Sequence, residues 1–374
     1  MIGFCSLFVK NGRKMKLRTV RFEENLGKEE ILNIRKIVAP VKFLEIKEDE
    51  ISENTAFDYY IAEPENPDYS PSGKSRSAIL LFHGLNERNW DKYISWAEYL
   101  ADKSGRVVIL FPLSMHMNRS PKEWANPRAM QKLISMEFSD KKDFSNLSFL
   151  NYALSSRIKA DPFRFYLSGR ESILNVCQLM DEIRSDRHPA VHKDAKIDIF
   201  AYSIGGLLAQ VLLKANPYDY FSKSKLFMFC AGSLFNEMNG DSKMIMDRDS
   251  FASLKKYYIG DFIRLGAEKR RLWDYIETAF TTHIGEKFFR GERENFYKNN
   301  SHRVSIISLK RDIVIPTSGI RLALGSSSDI CLEEMDFPFD YSHENPFPVS
   351  DKINPSDRKY YFDKIFSRAV EFLS

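Results

Sequence analysis

Ala201-Tyr202-Ser203-Ile204-Gly205-Gly206 follows directly on the apolar run Ile197-Asp198-Ile199-Phe200. It leads into Leu207-Leu208-Ala209-Gln210-Val211-Leu212-Leu213. The pattern reads as a strand over 197–201, a sharp turn, and a helix over 204–214, with a serine at the turn. A serine so placed stands clear of its neighbours, at the carboxyl end of a strand and the amino end of a helix. The turn is tight, so the residues two before and two after the serine must be small. Here they are Ala201 and Gly205, and Gly206 lets the helix start close to the sheet.

Working outward, the chain alternates strand and helix. Ala78-Ile79-Leu80-Leu81-Phe82 and Val107-Val108-Ile109-Leu110-Phe111 are unbroken apolar runs, as expected of parallel strands buried on both faces. Between them, 90–103 has helical periodicity and Gly105 is a stop signal. Residues 168–186 read as a helix, Leu226-Phe227-Met228-Phe229-Cys230 as a strand, 304–309 as a strand, 318–324 as a helix, 329–335 as a last strand and 357–373 as a closing helix. Nearer the amino end, 41–46 and 57–62 read as paired strands, and 19–36 as a short helix or arm. Such alternation implies a mainly parallel sheet covered on both faces. Two segments break it: 115–165, a long insertion or set of short helices, and 233–302, helical and rich in Phe, Tyr, Lys and Arg.

Composition bounds the function. The 374 residues are 43% hydrophobic and 13% aromatic, and 55 basic against 51 acidic residues leave a net charge of +4. A large core is affordable on that composition, and the near balance gives no general attraction to nucleic acid or anionic membrane. Cys5, Cys177, Cys230 and Cys331 are far apart with no C-x-x-C spacing, which reads as free thiols in a reducing compartment rather than a zinc site or disulfide framework. No apolar run approaches the ~20 residues of a membrane span. The stretch 2–9 is apolar but short, with its charges after it, and is a poor signal peptide. The expectation is a cytoplasmic protein with residues 1–14 as an extension and Met15 as the natural start.

The hexapeptide at 201–206 resembles the nucleophile elbow of the α/β-hydrolase superfamily, G-x-S-x-G, with Ala in place of the first Gly. The resemblance extends in organisation over about 75–370. It implies a mainly parallel central sheet flanked by helices, with a helical cap inserted after the strand at 226–230. Residues 1–36 form an arm on this reading, and 37–374 a single domain. Serine needs a base to take its proton and an acid to orient that base, and the family supplies them in the order Ser, acid, His, each after a strand. Asp312, just past 304–309 and followed by Ile313-Val314-Ile315-Pro316, matches the acid. His343, the only histidine after Asp312, lies in the aromatic, Pro-rich loop 337–348 and matches the base. Some lipase-like members carry the acid after the preceding strand, which would make Asp241 or Asp247 the candidate. His83-Gly84-Leu85 matches the oxyanion loop, with the backbone N–H groups of Leu85 and Ile204 as donors and His83 as a structural support.

The resemblance implies an esterase- or lipase-like serine hydrolase that cleaves a carboxylic ester or related acyl bond of a small-molecule substrate through an acyl-enzyme on Ser203, with no metal or cofactor. An acyltransferase using the same residues, or a catalytically silent ligand-binding protein, are the alternatives. Tyr202, His116, Arg119 and Trp124 are candidate substrate contacts. The cap aromatics Phe235, Phe251, Tyr257, Tyr258, Phe262, Trp273, Tyr275 and Phe280 either line an acyl pocket or pack the cap onto the body. Lys269-Arg270-Arg271 reads as a solvated helix face.

Overall fold

The computed structural model describes residues 9–10, 13–14, 16–25, 33, 35–36, 38–44, 47, 50–65, 68–138, 146–264 and 274–374. Its main sheet has β1 (Lys16–Glu23), β2 (Ala56–Glu63), β3 (Ser75–Phe82), β4 (Val107–Leu110), β5 (Val191–Tyr202), β6 (Leu226–Phe229), β7 (Val304–Leu309) and β8 (Leu332–Met335). The spatial order is β1-β2-β4-β3-β5-β6-β7-β8. β2 is antiparallel to both its neighbours and every other pairing is parallel. This is the α/β-hydrolase topology that the sequence led us to expect.

The central strands are apolar throughout because they feed two cores. Ala78, Leu80 and Phe82 of β3 belong to one, and Ile79 and Leu81 to the other. The first core is closed by α4 (Phe163–Arg184) and α5 (Ile204–Ala215), the second by α1 (Asp91–Ser104) and α10 (Pro355–Leu373). On α1 the buried positions are Tyr93, Trp96, Ala97, Leu100 and Ala101, one face at helical spacing. Gly105, at φ 68°, ends it by returning its N–H to the Ala101 carbonyl at 2.8 Å. Burying each large apolar side chain contributes about 1.5–3 kcal/mol, so these two layers hold the sheet's carboxyl edge rigid.

The structure corrects several boundaries. Residues 42–44 form a turn and not a strand, and 45–46 lie outside the described residues. The partner of β2 is β1, within the stretch expected to begin a helix or arm. Leu17 packs in one core and Phe22 in the other, so this edge strand lacks the one-sided alternation that marks a half-buried strand. α4 begins at Phe163 rather than 168, because Asp161 Oδ1 accepts the Phe163 N–H at 3.0 Å just before the first turn. The last strand is shorter than expected: Ser328–Cys331 is a helical turn. Residues 115–165 contain two short 3₁₀ turns, α2 (Pro127–Glu137) and α3 (Tyr152–Ala160). The 233–302 segment supplies α6 (Arg248–Lys256), α7 (Tyr275–Thr281) and α8 (Arg290–Asn300), and α9 (Thr317–Leu324) follows β7. Cys177, Cys230 and Cys331 are buried and free; Cys230 lies just past β6 and Cys331 in the helical turn, not in strands. Cys5, Trp273, Met15 and residues 269–271 lie outside the described residues. Among the described residues, no helix is long and apolar enough to cross a membrane.

Candidate functional site

β5 ends at Tyr202, and Ser203 takes φ 57° and ψ −128° before α5 starts at Ile204. A non-glycine residue held there stores on the order of 1–3 kcal/mol of strain, which the surroundings must enforce. They do so by close approach. A Cβ on Gly205 would sit 2.7 Å from the His83 carbonyl oxygen and 2.8 Å from that of Phe82. A Cβ on Gly206 would sit 2.5 Å from Ala231 Cβ, just past β6. Only glycines let α5 start this near the strand ends, while Ala201 is wholly buried in the core beneath.

Asp312 lies in the turn after β7. Its Oδ1 accepts the N–H groups of Val314 and Ile315, each at 2.9 Å, which leaves Oδ2 for the His343 Nδ1 at 2.8 Å. A carboxylate can only accept, so Nδ1 carries the proton and the Nε2 lone pair faces Ser203 Oγ at 2.7 Å. All three side chains are buried. Asp241 and Asp247 take no part in this row. Asp241 binds Arg248 Nε and Asn146, and Asp247 caps α6 by accepting the N–H groups of Asp249 and Ser250.

The histidine is held by residues that sequence reasoning missed or misassigned. Tyr202, expected against substrate, stands behind the imidazole instead. It is 1% exposed, its ring stacks on His343 at 5.4 Å and 15°, and its hydroxyl donates to the His343 carbonyl. Strand alternation explains the correction: Tyr202 points opposite to Ala201, into the core of α1 and α10. Lys92 Nζ lies over the same ring at 4.7 Å. Arg311, beside the acid, ties the base loop down by donating to the carbonyls of Phe337 and Phe339 at 2.6 and 2.7 Å, while its own N–H donates to Tyr341 Oη at 3.0 Å. The adjacency of Arg311 to Asp312, and of Tyr341 to His343, was the available signal. Cys230 is wholly buried; burial pushes its thiol well up, as does the charge of Asp312, to which it hydrogen-bonds.

Leu85 and Ile204 flank the serine. Ile204 opens α5, where helical N–H groups have no partner within the helix. The His83 Nε2 accepts the Leu113 N–H at 3.0 Å, so its Nδ1 is the protonated nitrogen and donates to the Gly84 carbonyl at 2.8 Å. Across a trans peptide, a carbonyl pinned on one side sends the following N–H to the other. His83 thus sets the direction of the Leu85 N–H. Burial keeps His83 neutral by pushing its pKa well below the ordinary histidine value. Gly84 lies against the nucleophile turn, where a Cβ would approach Ser203 Cβ to 3.3 Å. Its N–H donates to Tyr93 Oη at 2.9 Å, and Tyr93 in turn donates to Glu87 at 2.8 Å.

From Leu85 and Ile204 an apolar pocket runs between α3, α4, α5 and α7, walled by Leu154, Ile158, Phe165, Leu208 and Phe280 among others. Of the 233–302 aromatics, Phe280 lines it. Tyr258, Phe262 and Phe280 pack with Phe165 and Tyr166 of α4. Phe235 stacks near Phe165, Phe251 is buried, Tyr257 packs on Tyr258, and Tyr275 is half exposed. Packing, not pocket lining, is the main work of these rings. Arg119 is not a substrate contact. It is fully buried over the Phe57 ring, donating to Asn54, Pro112 and Asn175. His116 lines the apolar pocket, and both His116 and Trp124 line a smaller one beside it.

A buried serine hydrogen-bonded to an imidazole, itself oriented by a carboxylate, can form and release a covalent acyl intermediate. In structure the chain is similar to carboxyl esterase 2 of the mycorrhizal fungus Tuber melanosporum (11% identity, TM-score 0.48, covering 100% of this chain and 91% of that one). It is also similar to a fluorophosphonate-binding serine hydrolase of Staphylococcus aureus (12% identity, TM-score 0.42, 96% and 98%). A third likeness is to the butyrate-bound Est2 esterase of Thermogutta terrifontis (15% identity, TM-score 0.39, 90% and 94%). Among curated proteins none matches the sequence. Residues 24–374 match the family model DUF6051, described as a family of unknown function, and the chain belongs to that family.

Proposed function

We propose that the protein is a serine hydrolase that cleaves carboxylic esters through an acyl-enzyme on Ser203. The observation that supports this reading is the unbroken row from Ser203 Oγ to His343 Nε2 at 2.7 Å and from His343 Nδ1 to Asp312 Oδ2 at 2.8 Å. Ser203 Oγ attacks the acyl carbon while His343 Nε2 takes its proton. Asp312 holds the Nδ1–H tautomer and stabilises the imidazolium that forms. The oxyanion accepts from the N–H groups of Leu85 and Ile204, each such donor being worth about 10²–10³ in rate. His343 returns the proton to the departing alkoxide. Water, deprotonated by the same nitrogen, then releases the acid. The apolar pocket that opens beside Leu85 and Ile204 accommodates the acyl chain.

The test is fluorophosphonate labelling of the purified protein beside Ser203→Ala and His343→Ala, read by intact mass. One adduct on the wild type, absent from Ser203→Ala and greatly slowed in His343→Ala, is the expected result. A well-folded wild-type protein that takes no adduct overturns the reading.

A further inference from the structure

A second, smaller pocket lies beside the oxyanion loop, lined by Asn86, Glu87, Arg88, Trp124 and Ala125 among others. Met115, His116, Leu154 and Arg157 line both this pocket and the apolar one. They form the wall between the two.

Two residues that line this pocket each carry a buried polar atom with no hydrogen-bond partner among the described residues: His116 Nε2 and Trp124 Nε1. Both side chains belong to residues at least nine-tenths buried, at 9% and 7% exposure. Their chemistry is complementary. His116 Nδ1 lies 2.8 Å from the Ser114 carbonyl, which can only accept, so Nδ1 carries the proton and Nε2 offers a lone pair. The indole N–H of Trp124 can only donate. A buried polar group left without a partner is destabilising, and two of opposite character on residues that line one pocket ask for a group that both donates and accepts. The surroundings suit a neutral group. Arg88 is already engaged with the carbonyls of Phe149 and Leu150, Glu87 with Tyr93 and Lys92, and Arg157 lies over the Trp124 ring at 4.8 Å.

We infer that His116 and Trp124 form a polar subsite that binds a hydroxyl group on the alcohol portion of the substrate. This rests on the ester-hydrolase reading above. The preferred substrates would then be esters of an apolar acyl chain with a hydroxylated alcohol, the chain in the apolar pocket and the free hydroxyl across the wall.

The test compares 2,3-dihydroxypropyl butyrate with 2-methylbutyl butyrate, in which a methyl group replaces each hydroxyl. Trp124→Phe keeps an aromatic ring and removes the N–H. His116→Asn can keep a donor to the Ser114 carbonyl and removes Nε2. Wild type is expected to favour the dihydroxypropyl ester at least tenfold in kcat/KM, mainly through KM. Each variant is expected to bring that ratio near one, and Trp124→Phe, at a residue that lines the second pocket and not the apolar one, is expected to leave fluorophosphonate labelling of Ser203 unchanged in rate. Normal labelling with no preference in the wild type overturns the subsite. So does an equal fall for both esters in the variants, which is what a purely structural role gives. So does a preference that follows a hydroxyl on the acyl chain instead. Failure of the wild type to label is a different result: it removes the hydrolase reading and this inference with it.

Discussion

The strand-end row and the helical walls of the pockets are built on different principles. Ser203, Asp312 and His343 each sit in the segment after a strand; the first two are fixed by local backbone geometry, the elbow dihedrals and the Val314 and Ile315 amides, and His343 is tied by its carbonyl to the Tyr202 hydroxyl at the end of β5. The pocket walls gather side chains from α3, α4, α5, α7 and the loop after β4, residues more than a hundred positions apart. Chemistry placed by strand ends tolerates change elsewhere; selectivity placed by helix packing does not. The row should therefore set whether a bond is cut, and the walls which bond.

The sharpest break of this contrast is Ser203→Ala, expected to lower ester turnover by about 10⁴ or more with the fold intact by circular dichroism. Residual turnover near wild type would place the nucleophile elsewhere. Next is Asp312→Asn, which keeps an acceptor for the Val314 and Ile315 amides but loses the charge. A fall of about 10³–10⁴ in kcat is expected, against little change for Asp247→Asn, a cap-preserving substitution. The reverse pattern would move the acid to the 233–302 segment.

Acid should act on stability through the buried histidines. Burial pushes His83 well below its ordinary value, His116 to about 4, and His188 and His283 to about 3. Below about pH 6.5 the unfolded chain binds protons at these positions that the folded chain refuses. Stability is then fully present above that pH and falls on acidification, by up to about 1.4 kcal/mol per pH unit for each histidine. Thermal midpoints measured from pH 7 to 5 should fall, and His283→Gln should shallow the slope. A flat profile would mean that these rings are not buried neutral.

Selectivity tests follow. Leu208→Phe, adding bulk to the apolar pocket, should lower kcat/KM for an octanoyl ester about tenfold relative to an acetyl ester, with fluorophosphonate labelling kept. An unchanged ratio would mean that the acyl chain lies outside this pocket. The smallest effect is at Cys230. Cys230→Ser keeps a donor to Asp312 and should be near wild type, whereas Cys230→Val should cost roughly threefold to tenfold in kcat, the loss of one modest hydrogen bond. Equal rates would make the thiol a packing group only.

The parts of the protein readable in its sequence share a cause: they are specified by residues close together in the chain. The elbow needs small residues around Ser203, the buried strands need continuous apolar runs, and the order of serine, acid and base can be read along the chain. β1 escaped because an edge strand feeding one residue to each core carries no clean period. The start of α4 escaped because its signal was a single Asp161 before Pro162. Tyr202 was assigned to substrate because adjacency to Ser203 says nothing about which face of the sheet a side chain takes.

By itself the sequence determined the mainly parallel character of the central sheet, the sharp turn at Ser203 and the identity of the groups that could act there. Local sterics and strand burial depend on neighbouring residues, so they are written in chain order. Only the tertiary structure decided that Asp312 and not Asp247 meets His343, that Tyr202 and Arg311 hold the histidine loop, and that His116 and Trp124 share a pocket. These outcomes depend on which distant helices and loops pack together, and on which polar atoms that packing leaves without partners.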